Sequence, residues 1–139
     1  MTELHPRLAA DCILLGRFPL CRLLLMNDSN YPWFILVPGR DGIREIYQLG
    51  DEDRARLLRE SCALSEFLMT AFEGDKLNIA ALGNQVPQLH LHHIVRYVSD
   101  PAWPGPVWGR HPPIAYSTNA LQEVRLKITR AGLENFETV

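Results

Sequence analysis

Between Cys12 and Pro38 short apolar runs alternate with turn residues: CILLG (12–16), LCRLLLM (20–26) and, after NDSNYP, WFILVP (33–38). Runs of five to seven residues bounded by Pro, Asn, Asp, Ser and Gly read as strands of a meander, although leucine by itself favours helix. From residue 50 the period changes. In GDEDRARLLRESCALSEFLMTAFEGDK (50–76), Leu57, Leu64, Leu68 and Phe72 recur at helical spacing with Leu58, Cys62 and Met69 beside them, which predicts one broad core-facing stripe. Gly50 or Asp51 is expected at the N-cap, Glu52 and Asp53 lie where the helix dipole favours anions, and Gly74 is expected to stop the helix. KLNIAAL (76–82) and PQLHLHHIV (87–95) then read as neighbouring strands joined by a tight GNQV link. SDPAWPGPVWGRHPP (99–113) holds five prolines in fifteen residues, so it is expected to be an ordered coil. STNALQEVRLKITRAGLENF (117–136) reads as a helix capped by Ser117 or Thr118 and interrupted near its end by Gly132. Strands, helix, strands, helix is the order of an α+β domain with a mainly antiparallel sheet.

Composition narrows the function classes. A chain of 139 residues can bury one sizeable core but not two ordinary ones, so a single domain over 1–139 is expected. A net charge of -2 leaves no basic footprint for nucleic acid, and no run of about 18 apolar residues suggests a membrane span. Cys12, Cys21 and Cys62 are too widely spaced for a zinc or redox motif and are expected to be reduced and mostly buried. The N-terminus lacks the basic and apolar segments of a signal peptide, so a cytoplasmic location is expected.

The stretch GNQVPQLHLHHIVRY (83–97) carries the chemistry. Strand alternation puts Gln88, His90 and His92 on one face and Leu89, Leu91 and His93 on the other. With the leucines on the core, Gln-His-His becomes an exposed polar row, its members roughly 6.8 Å apart. Two histidines at alternate positions supply part of a metal site, but the third ligand is not evident, since His5 and His111 lie near the ends of the chain. The same face suits nucleophilic catalysis: neutral imidazole attacks phosphorus without a separate base, provided its other nitrogen keeps its proton, and a second histidine binds the phosphate oxygens.

QVPQLHLHHIV resembles the signature of the histidine triad (HIT) superfamily, His-φ-His-φ-His-φ-φ with φ apolar, commonly preceded by Gln-Ser/Thr-Val. Aligned on Val86, Gln88 falls on the first histidine, His90 on the second and His92 on the third. WFILVPGRDG, the helix after residue 50 and AWPGP, similar to a Trp-Pro-Pro element in one branch of the family, extend the likeness over about 12–109. The resemblance implies a mainly antiparallel five-stranded sheet with one long central helix, here followed by a C-terminal helical extension over about 114–136. It also implies a homodimer whose sheets join into one of ten strands. The activity it implies is that of a nucleotide hydrolase or nucleotidyl transferase acting on a dinucleoside polyphosphate or nucleoside phosphoramidate through a covalent nucleotidyl-histidine. His90 would be the nucleophile and His92 the phosphate contact; Asn84 and Gln85, the latter in the Ser/Thr slot, would line the phosphate or leaving-group side. Asn27, with Asp28 as its rival, would meet the ribose.

Gln88 departs from the pattern, because an amide cannot take up a proton. His93 stands where an apolar residue is expected and reads as a histidine satisfied by a backbone or cross-subunit partner. The family's glycine-rich loop before the motif is short here, AALGNQVP, so different leaving-group contacts are expected. No cofactor is required at the histidines, although polyphosphates often arrive with magnesium. The other readings are a nucleotide-binding module that has lost turnover through Gln88, and a metal-dependent hydrolase using His90 and His92. Among the arginines, Arg40 and Arg44 read as solvated and Arg96 stays open to a distal phosphate; Trp33, Trp103 and Trp108 read first as packing residues.

Overall fold

The apolar runs become one antiparallel sheet in a computed structural model that describes residues 2–139. Strands β1 (Cys12–Arg17), β2 (Cys21–Met26), β3 (Trp33–Pro38), β4 (Lys76–Ala80), β5 (Leu91–Arg96) and a two-residue β6 (Glu137–Thr138) lie in the order β4-β5-β3-β2-β1-β6. Six strands stand where five were expected. The sixth pairs with β1 at Gly16 and Arg17, and a Cβ on Gly16 would lie 2.3 Å from the Glu137 carbonyl and 2.5 Å from the Phe136 ring, so only glycine admits it.

Both faces of the sheet are covered, which explains runs that are apolar throughout rather than alternating. Phe34, Leu36, Leu91 and Val95 face the long helix α2 (Asp51–Phe72) and the C-terminal helix α3 (Thr118–Arg130), with Leu64, Leu68, Val124 and Ile128 packed among them. Ile35, Val37 and Ile94 face the other way, under Ala102 and Val107 of the Pro-rich coil and Leu8 of a short N-terminal helix, α1 (Pro6–Asp11). That helix was not expected, although His5 as cap with Pro6 at the first turn is its signal. Ser117 caps α3 as predicted, accepting from the Ala120 N–H.

α2 differs in three details from its pattern. Leu58 and Cys62 are exposed, so the stripe is narrower than expected. Glu60 and Ser61 are buried instead, and the Glu60 carboxylate accepts the backbone N–H groups of Leu20 and Cys21 at 3.0 and 2.9 Å. Glu73, not Gly74, takes the left-handed conformation that ends the helix; Gly74 is needed because a Cβ there would meet the Val95 side chain at 2.3 Å. Of the thiols, only Cys21 is fully buried, and burial pushes the half-buried Cys12 up to about 12.

The coil after β5 is fastened by Arg96, which is not available to a distal phosphate. Fully buried, it grips Asp100 through two hydrogen bonds of 2.8 and 3.0 Å and Asn78 through a third, between the Tyr31 and Trp103 rings. Burial alone would raise the Asp100 carboxyl; the guanidinium and the N–H groups of Tyr97 and Ala102 hold it below its ordinary value. Arg40 pairs with Asp53 on the surface and Arg44 is exposed.

Candidate functional site

The histidine strand starts later than its pattern suggests. Residues 81–90 form a loop, not a tight link, and β5 begins at Leu91. His90 therefore sits on the last loop residue and His92 one position inside the strand. Their rings still share a face, with centroids 4.8 Å apart, because the extended backbone keeps the alternation across the junction.

That face is not exposed. His90 and His92 are 7% and 4% accessible, since Trp108, α1 and the 83–86 loop close over them. Together these elements wall a recess of about 280 Å³ that holds both imidazoles, Met26, Asn84, Gln85 and, from α1, Arg7 and Asp11. A second recess of about 470 Å³ shares Arg7, Asp11, Met26 and Trp108 with it and extends over Asn27, Asp28 and His111.

Fixed partners decide where each ring carries its proton. The His90 Nδ1 lies 2.7 Å from the Gln88 carbonyl, which can only accept, so Nδ1 holds the hydrogen and a neutral His90 has a free lone pair on Nε2. At His92 the arrangement is opposite. The Trp33 indole N–H donates to its Nδ1 at 2.9 Å, so Nε2 carries the hydrogen and is a donor. Burial, with smaller contributions from His90 and His93, lowers His92 to about 3, so it stays neutral. Trp108 packs edge-on and Trp33 at a tilt against the ring, and together they fix its plane. The site thus offers one nucleophilic nitrogen and one N–H donor, side by side in a recess where both rings are buried.

His93 points to the opposite face, as alternation required. Its Nε2 meets the Ser61 hydroxyl at 2.7 Å and its Nδ1 the Leu91 carbonyl at 3.1 Å, so its partners are α2 and the backbone, and burial lowers it to about 4.

Gln88 does not join the two imidazoles. Its side-chain oxygen accepts the His5 N–H at 2.7 Å and its amide donates to the Glu3 carbonyl at 3.0 Å, pinning the N-terminal segment. Only its backbone carbonyl touches His90. Asn84 and Gln85 are exposed on the rim. Asn27 and Asp28 stand together in the second recess: Asn27 accepts from Tyr116 N–H, and one Asp28 oxygen takes N–H donors from Asn30 and Ile114. Among the described residues no three His, Cys, Asp or Glu side chains converge in a way that could hold a metal ion. His5 caps α1 and His111 faces the Pro101 carbonyl. Arg7, Trp33 and Ser61 were missed as site residues. No local spacing links them to the histidines; only the cap signal at His5-Pro6 pointed to an element there.

The HIT domain family description matches residues 7–99. A histidine triad protein from Marinobacter aquaeolei VT8 is 60% identical, with 96% of this chain and 97% of that one covered and a TM-score of 0.92. Histidine triad proteins from Bradyrhizobium japonicum and Sinorhizobium meliloti 1021 are 44% and 40% identical, each over 93% of this chain and 96% of theirs, with TM-scores of 0.91 and 0.90. No curated protein matches. No helix among the described residues is long and apolar enough to cross a membrane.

Proposed function

The chain belongs to the HIT family, whose members are nucleotide hydrolases and transferases, and from that premise we propose that it cleaves a nucleoside phosphate bond through a nucleotidylated His90. The observation that carries this reading is the pair of opposed tautomers, His90 with Nε2 free and His92 with Nε2 protonated.

The His90 Nε2 lone pair attacks the α-phosphorus of a dinucleoside polyphosphate or nucleoside phosphoramidate. An N–P bond forms, and the bond to the leaving group breaks with its electron pair going to that group. The imidazole becomes cationic, and the Gln88 carbonyl on Nδ1–H stabilises that charge. The His92 Nε2–H donates to a non-bridging oxygen where negative charge develops, an interaction strengthened by the burial of His92. Water then attacks phosphorus, the nucleoside monophosphate leaves, a proton passes to solvent, and His90 returns neutral. Asn84 and Gln85 line the leaving-group side, while Asn27 and Asp28 face the ribose from the second recess. Gln88 acts here through its backbone carbonyl rather than as a proton carrier. The nucleophilic mechanism needs no metal at the histidines, although magnesium can accompany a polyphosphate substrate.

Rapid quenching after mixing with adenosine polyphosphate or adenosine phosphoramidate labelled in the nucleotidyl group should trap an acid-labile label on the wild type and none on His90→Ala. Label persisting in the variant would remove His90 as the nucleophile. Nucleotide binding with neither label nor product would make the chain a binding module, and activity lost only on chelation would point to a metal hydrolase.

A further inference from the structure

The loops around the histidines carry little positive charge. Among the described residues lining the two recesses, Arg7 is the sole lysine or arginine, and it borders both. Its pairing with Asp11 is loose, 3.7 Å with both side chains more than half exposed, so the guanidinium keeps donors for another anion. Arg7 belongs to α1, six residues long, and a helix this short does not hold its own place. Its leading end, which carries Arg7, is placed by the two-point grip of the Gln88 amide on the segment just before it: His5 N–H into the side-chain oxygen, side-chain nitrogen into the Glu3 carbonyl. Leu8, buried among Trp33, Ile35 and Val86, anchors the middle of the helix, and its far end is held by the run into β1 and by the Asn27 N–H on the Asp11 carbonyl at 3.0 Å.

We propose that Gln88 is a positioning residue that fastens the N-terminal segment across the mouth of the His90/His92 recess, so that Arg7 binds the phosphates of an anionic leaving group. The inference rests on the nucleotidyl-transfer reading and sharpens its substrate class. Gln88 has no proton to give, and His92 is neutral with its one N–H directed at phosphoryl oxygen, so neither side chain supplies the proton that an amine needs on departure. A phosphate or polyphosphate leaves as an anion and needs a cation nearby, which Arg7 supplies. Phosphoanhydride-bonded nucleotides are therefore the favoured substrates, ahead of phosphoramidates.

The test uses Arg7→Gln, Gln88→Leu and the double variant, with a dinucleoside polyphosphate and adenosine phosphoramidate as substrates. Loss of a charge-assisted contact should raise KM for the polyphosphate about tenfold in each single variant, and the double should be no worse than Arg7→Gln, because Gln88 acts through Arg7. KM for the phosphoramidate should stay within about twofold, since that substrate has no distal phosphate to lose. Amide hydrogen exchange gives a readout independent of turnover: Gln88→Leu should deprotect the His5 N–H and α1, while Arg7→Gln leaves both protected. Additive effects, equal losses on both substrates, or unchanged exchange in Gln88→Leu would overturn the proposal. Wild type that binds inorganic tripolyphosphate in an Arg7-dependent way but forms no nucleotidyl-histidine would sink the catalytic reading and the leaving-group assignment with it, and would keep only the phosphate contact of Arg7.

Discussion

A tryptophan ring sets the protonation of His92. The Trp33 indole N–H can only donate, so as long as it faces Nδ1 the His92 hydrogen must sit on Nε2, pointing into the recess. Trp33→Phe keeps the ring packing and removes the donor. The buried Nδ1 then lacks a partner, at a cost of about 1–3 kcal/mol in stability, and the tautomer is free to invert. We expect the single-turnover rate of nucleotidyl transfer to fall on the order of tenfold, in keeping with one lost hydrogen bond in the transition state. Nitrogen chemical shifts of His92 should report the released tautomer; shifts unchanged from wild type would mean that Trp33 does not set it. Trp33 was legible as a core residue but not as a partner of His92, because the two are 59 positions apart and meet only where β3 lies beside β5.

The element that holds the site is β5, which is bonded on both faces by titratable histidines kept neutral. Burial holds His92 to about 3 and His93 to about 4, against 6.5 in an unfolded chain. Between those values the unfolded state binds more protons than the folded one, so stability is complete above about pH 6.5 and declines as pH falls towards 4. For His93, clamped to Ser61 of α2, the loss is on the order of 3 kcal/mol across that window. Urea unfolding of wild type should show the midpoint dropping from pH 7 to pH 4.5, and His93→Gln, which keeps a polar partner for Ser61 but does not titrate there, should flatten the slope. An equally steep slope in the variant would assign the acid sensitivity elsewhere. The same element shows the limit of a periodic reading. Alternation placed His93 correctly on the core face, whereas the start of the strand at Leu91 and the burial of the opposite face were invisible to it, because both depend on the coil and α1 arriving from distant parts of the chain.

At the scale of the whole molecule the two edges of the sheet differ. β6 protects one edge, covering β1 through the contact that Gly16 permits, while β4 ends the other. An unprotected edge strand invites pairing, and Ile79 on β4 and Leu82 just after it are half exposed. We propose that two copies join through this edge into a continuous sheet. Sedimentation should give twice the chain mass, and Ile79→Lys, which adds charge at the seam, should give a monomer; a wild-type monomer at micromolar concentration would exclude the pairing.

The order of the five longer strands and the two long helices, the Leu57–Leu64–Leu68 line of α2, the separation of His93 from His90 and His92, and membership of the HIT family were carried by the sequence by itself; α1 and β6 were not. These are local periodicities and a contiguous motif, and short-range pattern is what strand and helix geometry writes into a chain. The tertiary structure alone decided that Gln88 clamps the N-terminal segment rather than joining the imidazoles, and that Arg96 serves Asp100. It also decided which nitrogen of each histidine is protonated. The reason is the same in each case. A hydrogen-bond partner is chosen by position in space, and the residues at positions 5 and 33 become neighbours of the site only once the sheet has formed and both of its faces are covered.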